Sequence, residues 1–314
     1  MIIVKMMGNL GNQMFIYAMA RSIALEYGED LYIDLSGLKR YYYTAKYKLN
    51  SFNIAKNVFY NLKEVPMSVR LRYFVETSIF LFQHVFYRRT RKDLLIPDNI
   101  IENWHKKGNY FSTNRSFFDF SGNNNNEYKF IYGYFQSEKY FNKYAKEIKN
   151  ELKVSIPISK IDEDLIKEMN NCNSVGVSIR ANKTSEIENT KVQPYLKMGF
   201  ITKDFYIEGM KTIAQKIDNP VFYIFSDNID MVKREYSFPY PVKYVIPDDS
   251  ATGMRLLCNC KHFVIANSTF SWWGAYLSDN KNKTIVMPYP WDKEGTPREC
   301  IYLKEAIRIP CKFE

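Results

Sequence analysis

The chain has 314 residues, with 44 Lys and Arg against 34 Asp and Glu, a formal net charge of +10. That length suits two domains or one large one, and 46% hydrophobic with 25% charged residues excludes a disordered polymer. Aromatic content reaches 16% (25 Tyr, 22 Phe, 4 Trp), and a basic, aromatic chain admits three partners: nucleic acid, an anionic membrane surface or a phosphorylated small molecule.

Five cysteines (Cys172, Cys258, Cys260, Cys300, Cys311) are too few and too late in the chain for a disulfide framework. Their odd number points to reduced thiols and a cytoplasmic setting. Neither Cys258-Asn259-Cys260 nor the scattered His84, His105 and His262 has metal-ligand spacing. The apolar N-terminus is interrupted by Lys5, Gly8, Asn9, Gly11, Asn12 and Gln13, which fits neither a signal peptide nor a span. The run over 73–87 is also too short to span, and it carries Glu76, Gln83 and His84.

In chain order, residues 1–6 read as a buried strand, Gly8 to Asn12 as a glycine-punctuated turn, 13–27 as a helix and 31–34 as a strand. Residues 39–128 are irregular, rich in aromatic and basic residues, with a polar surface loop at 123–126. A strand at 129–132 and a helix over 140–152 close a first domain, 1–155. The remainder alternates cleanly: helix 162–169, strand 174–180, helix 203–217, strand 221–226, helix 229–236, strand 242–246, helix 251–259, strand 262–266, helix 270–277 and strand 284–287. This predicts a second domain over 156–300 and a C-terminal segment over 301–314. Alternating apolar strands and helices imply α/β architecture with parallel sheets, most economically two Rossmann-like halves facing a central cleft.

Ligands of such sheets sit beyond the carboxyl ends of the strands. The first strand ends in Gly8-Asn9-Leu10-Gly11-Asn12-Gln13, where backbone N–H groups and the amides of Asn12 and Gln13 suit phosphate; a plain tight turn is the competing reading. The strand over 174–180 ends in Arg180-Ala181-Asn182-Lys183, cations able to neutralise a pyrophosphate or merely to face solvent. Asp227 follows the next strand and either accepts from a base or ribose or caps a helix. Asn267-Ser268-Thr269-Phe270-Ser271-Trp272-Trp273 gathers an amide and several hydroxyls at a helix start, more than one cap explains, and reads as phosphate binding. Asp162-Glu163-Asp164 imitates a metal-binding D-x-D, but acids at a helix start need no metal to explain them. Asp248-Asp249 reads as a turn opening a helix.

Four blocks together resemble the α-1,2-fucosyltransferases, glycosyltransferase family 11, in that family's order and over nearly the whole chain. They are Gly8-Asn9-Leu10-Gly11-Asn12-Gln13-Met14-Phe15, Gly133-Tyr134-Phe135-Gln136-Ser137-Glu138-Lys139-Tyr140-Phe141, Phe225-Ser226-Asp227 and Asn267-Ser268-Thr269-Phe270-Ser271-Trp272-Trp273-Gly274-Ala275. The resemblance implies a GT-B fold, GDP-fucose as donor, no cofactor or metal, and inverting transfer to a hydroxyl of a glycan, galactose 2-OH. It implies that Asn12 contacts the β-phosphate or sugar, that Ser268, Thr269 and Phe270 line the pyrophosphate, and that Gln136 and Glu138 lie on the acceptor side. The family signature H-x-R-R-G-D-Y stands here as Ser178-Ile179-Arg180-Ala181-Asn182-Lys183-Thr184, so Arg180 remains as catalytic cation while the signature carboxylate is lost.

That departure keeps two alternatives open, another nucleotide sugar or a non-catalytic nucleotide- or glycan-binding member. The acceptor is expected to be an oligosaccharide or lipid-linked glycan. Residues 70–92 could touch an anionic membrane from the cytoplasmic side or form a domain helix with basic ends. No nucleic-acid motif accompanies the charge, and that partner falls behind.

Overall fold

A strand of four apolar or long side chains followed by a glycine turn opens the chain: β1 (Ile2–Lys5) runs into α1 (Leu10–Tyr27). The computed structural model describes residues 1–39, 46–90, 96–112, 117–122, 124–181, 198–295 and 298–314. Helix α1 is buried on almost every side, which explains its lack of amphipathic period, and it stops where Gly28 takes a left-handed conformation (φ 64°). Strands β2 (Leu31–Asp34) and β3 (Val58–Phe59) follow, then helices α2 (Met67–Thr90) and α3 (Asp98–Lys106), strands β4 (Asn109–Ser112) and β5 (Lys129–Gly133), and helix α4 (Ala145–Glu151). The first sheet is parallel, in the order β3-β2-β1-β5-β4.

The second half opens with α5 (Lys160–Asn171) and β6 (Asn173–Ile179). It continues through α6 (Lys203–Ala214), β7 (Pro220–Ser226), α7 (Ile229–Glu235), β8 (Val242–Val245), α8 (Ser250–Cys258), β9 (His262–Ile265), α9 (Thr269–Leu277), β10 (Ile285–Tyr289) and β11 (Ile307–Pro310). Its sheet is parallel in the order β11-β10-β9-β6-β7-β8. Val175, Val177, Ile224 and Val264 from the strands meet Tyr206, Met210 and Ile213 of α6 in one fully buried core. Chain contacts divide the molecule into Met1–Leu152 with Glu299–Ile301, and Lys153–Arg298 with Tyr302–Glu314. Two parallel-sheet units with helices make this an α/β fold.

The stretch expected to be irregular, 39–128, is corrected: it supplies β3, α2, α3 and β4. Helix α2 carries apolar residues on both its docked and its outer side, so the period that marks a helix is blurred. Strand β4 (NYFS) is buried at all four positions and therefore shows no alternation. Asp162 and Glu163 lie in the first turn of α5, capped by Ser159, and Glu163 and Asp164 pair with Lys160 and Lys167. That is the helix-opening role, and the described residues hold no group of three metal-ligating side chains. Asp249 caps α8, accepting from the N–H groups of Ala251 and Thr252. Among the described residues no helix is long and apolar enough to cross a membrane.

Candidate active site

Strand order locates the ligand-binding edge of each unit. In the first sheet the chain winds from β1 to β2 and β3 on one side, with β5 and β4 on the other, so the order reverses between β1 and β5. In the second it reverses between β6 and β9. A crevice opens outside the carboxyl ends of the strands at such a reversal. All the sequence blocks except Phe225-Ser226-Asp227, which ends the adjacent strand β7, lie at these two reversals.

In the first unit Gly8 leaves β1 with φ 71°, and a Cβ there would lie 2.7 Å from the Asn12 amide nitrogen, so the turn needs glycine. Asn9 enters α1 with no side-chain cap bond, and the first turn holds no acid. Asn12 and Gln136, 124 positions apart, meet across the reversal: the Gln136 Nε2 donates to the Asn12 Oδ1 at 2.9 Å. Both are half-buried. Gly133 makes this possible at the end of β5, where a Cβ would lie 1.9 Å from the Ser112 carbonyl oxygen. Glu138, half-buried, opens a short 3-10 turn whose cap is Ser137.

Gln13 is corrected. It is fully buried, its Nε2 donates to the carbonyls of Gly8 (2.8 Å) and Lys46 (2.9 Å), and its Oε1 accepts from the Lys48 N–H at 2.9 Å. It fastens the glycine turn to the following segment and has no donor left for phosphate.

In the second unit Arg180 leaves the end of β6 with its guanidinium carbon 5.7 Å from the centre of the Phe200 ring. Phe200 escaped sequence reasoning; the only local signal was the preceding Gly199, which adopts φ 72°. Ser268 occupies the cap position of α9 in extended conformation but makes no side-chain cap bond. The N–H groups of Thr269, Phe270 and Ser271 precede the first helical bond, from the Trp272 N–H to the Ser268 carbonyl at 2.9 Å. With no acid in its first turn, α9 presents a helix N-terminus and the half-buried hydroxyls of Ser268 and Thr269 at the same edge as Arg180.

The side chains of three residues of this block are engaged within the protein, away from the helix start. Asn267 is 1% exposed and its Nδ2 donates to the carbonyls of Met198 (3.1 Å) and Gly199 (3.2 Å), which holds the chain entering Phe200. Ser271 is buried and shares a 2.6 Å hydrogen bond with the Ser178 hydroxyl, joining α9 to β6. The Phe270 ring turns toward Gly253 of α8, so its main chain, not its ring, faces the helix start. Asp227 does not cap α7, since Asn228 does; its carboxylate accepts from the Ala181 N–H at 2.7 Å and fixes the exit of β6 beside Arg180.

The altered signature has a partial physical account. Ala181 is buried among the apolar residues of the core, where an arginine side chain would find no room. Ser178 is committed to Ser271. Asn182, Lys183 and Thr184, with Glu186 and Glu188, lie outside the described residues. No histidine stands at a strand's carboxyl end: His262 begins β9, its Nδ1 accepts from the Thr284 N–H, and burial holds its pKa below the usual value.

Comparison with known proteins bears on the fold and the family. An alpha-1,2-colitosyltransferase of Escherichia coli is 28% identical over 297 residues, covering 92% of this chain and 92% of the relative. The O-antigen biosynthesis glycosyltransferase WbnK of the same organism is also 28% identical, over 311 residues, covering 90% and 92%. Among solved structures, fucosyltransferase NodZ from Bradyrhizobium superposes with a TM-score of 0.51 at 14% identity, over 87% of this chain and 91% of that one. NodZ alpha-1,6-fucosyltransferase co-crystallized with GDP gives a TM-score of 0.50 with the same identity and coverage. These two show a shared fold. The model of Glycosyl transferase family 11 matches residues 1–309, and the chain belongs to that family of glycosyltransferases.

Proposed function

We propose that the protein is an inverting transferase that moves a fucosyl residue from GDP-fucose to a glycan hydroxyl, galactose 2-OH. The carrying observation is the convergence of Arg180, Ser268, Thr269 and the N-terminus of α9 at the strand-order reversal of the second sheet. As the acceptor hydroxyl attacks the anomeric carbon, the bond to the β-phosphate breaks and negative charge grows on departing GDP. In this reading Arg180 and the helix-start donors meet that charge, and prearranged donors of this kind supply about 2.7–4 kcal/mol each. Of the D-x-D-like acids, Asp162 accepts from the Ser159 hydroxyl and Asp164 pairs with Lys160 and Lys167 at the exposed start of α5, and this reading runs the reaction with cations and N–H groups without a metal. Asn12 is assigned to the donor phosphate or sugar, and Gln136 and Glu138 to the acceptor. Lys183 supplies a further point charge in this reading, and the general base is unassigned. A cytoplasmic setting belongs to the same reading, supported by five cysteines that are all free thiols. The peripheral contact with an anionic membrane rests on α2 alone.

A second donor has a specific observation behind it: a relative that spans nearly the whole chain is a colitosyltransferase. Incubation of the protein with a β-galactoside and either GDP-fucose or GDP-colitose, followed by mass spectrometry of the acceptor, separates the two. Product with neither, and no GDP released, would leave a binding protein and sink the enzymatic reading.

Thr269→Ala should raise the GDP dissociation constant about tenfold, the worth of one hydrogen bond to a charged group at about 1.5 kcal/mol. Isothermal calorimetry checks this. An unchanged constant would leave Thr269 as no more than the first residue of α9.

A further inference from the structure

The Phe200 ring that lies 5.7 Å from the Arg180 guanidinium belongs to no helix or strand. Main chain outside a regular ladder must find its hydrogen-bond partners elsewhere, and here it finds them on two sides. On one side Asn267 holds the carbonyls of Met198 and Gly199, and the Lys293 N–H donates to the Met198 carbonyl at 3.1 Å. On the other side residues 312–314, which follow β11, run beside 200–202. The Glu314 N–H donates to the Phe200 carbonyl at 2.9 Å, and the Thr202 N–H to the Lys312 carbonyl at 3.0 Å. These two bonds flank a bridge between Ile201 and Phe313 that is antiparallel, whereas the described strand pairs of this sheet are parallel.

Phe313 is the residue of this strap that meets the protein. It is half-buried between exposed Lys312 and Glu314, and it packs at the margin of the second unit's core. Gly199, at φ 72°, stands so close that a Cβ there would lie 2.7 Å from the Phe313 ring. The turn that delivers Phe200 is therefore closed against Phe313. Lys293 fastens both partners of the bridge, because its Nζ also donates to the Glu314 main-chain oxygen at 3.0 Å.

We infer that Phe313 is a positioning residue for the transfer reaction: it fixes the turn at Gly199, the turn fixes the Phe200 ring, and the ring fixes the Arg180 guanidinium. The inference rests on the assignment of Arg180 to the departing phosphate. A misplacement of about 1 Å, made far from the chemistry, can cost about 10²-fold in rate. The β-phosphate gains charge only as the glycosidic bond breaks, so a displaced guanidinium lowers kcat more than it lowers donor affinity.

Phe313→Ala removes the ring and keeps the main-chain bridge. With the donor that the protein turns over, kcat is expected to fall about tenfold, less than in Arg180→Ala, while the donor KM moves about twofold at most. A double-mutant cycle separates positioning from general support of the fold. Added to Arg180→Ala, Phe313→Ala should cost little further turnover, because the group that it positions is gone. Phe313→Leu keeps apolar bulk against Gly199 and should fall between wild type and Phe313→Ala; it carries the same cycle if circular dichroism finds Phe313→Ala unfolded. Wild-type kcat in folded Phe313→Ala, or an undiminished tenfold loss in the Arg180→Ala background, would overturn the inference and leave Arg180 in the reaction. Near-normal turnover of Arg180→Ala would instead remove the assignment beneath it, and the task of Phe313 with it.

Discussion

Replacing Arg180 by alanine is expected to lower kcat for glycosyl transfer by about two to three orders of magnitude, the cost of one donor aimed at developing charge. Affinity for intact donor should change less than kcat, since the β-phosphate gains charge only as the glycosidic bond breaks. Arg180→Lys should recover little, because an ammonium lacks the planar fork that both pairs with phosphate oxygens and lies over the Phe200 ring. Phe200→Ala probes positioning: loss of the ring frees the guanidinium without removing it, so kcat should fall less than in Arg180→Ala. Steady-state kinetics with GDP release as readout decides. Near-normal turnover of a folded Arg180→Ala protein would remove this residue from the reaction and with it the present site.

The second large effect concerns stability. Lys5 ends β1 beside Asp34 at the end of β2, in register, with a 2.7 Å ion pair between side chains only 10% and 7% exposed. The Asp34 carboxylate also accepts from the Ser36 N–H (2.8 Å) and the Tyr73 hydroxyl (3.0 Å), which ties α2 to the sheet. Lys5→Met strands that carboxylate in the interior and should cost about 3–5 kcal/mol in urea unfolding at neutral pH. Burial alone would push the Asp34 carboxyl up, but Lys5 and Ser36 outweigh it and hold the carboxyl below its usual value. A depressed carboxyl stabilises the fold above its unfolded pKa of about 3.9, and that contribution is lost as pH falls through the folded value. In Lys5→Met the sign reverses, because burial then raises the carboxyl and protonation relieves the variant. The gap between the two proteins should therefore be widest near neutrality and narrow toward pH of about 4. A gap independent of pH would mean that lost packing of the Lys5 stem, not charge, sets the cost.

Legibility in the sequence followed periodicity and local chemistry. The second unit was readable almost element by element, since strands such as VFYIF and helices such as the one over Lys203–Ala214 have contrasting patterns and lengths. The first unit was readable at its two ends but not between them. There α2 hides its period by being apolar on both sides, and β4 is too short and too uniformly buried to alternate. At the site, the glycine turn and the hydroxyl-rich helix start were visible as residue types, yet residue type did not reveal which groups were already engaged. Gln13, Asn267 and Ser271 have the chemistry of phosphate ligands and spend it on the protein itself.

The amino-acid sequence by itself determined the α/β class, the family and the blocks that supply the candidate site, because those rest on short-range patterns that any window of the chain displays. Its basic, aromatic character was more ambiguous, and the tertiary structure divided it. Strand order brought Asn12 to Gln136 and Arg180 to the start of α9, since a crevice exists only where parallel strands reverse their order. Docking of α2 through Val69, Tyr73 and Phe80 decided that its other apolar side would face outward. Burial is a property of the folded surface, and no local sequence window contains it.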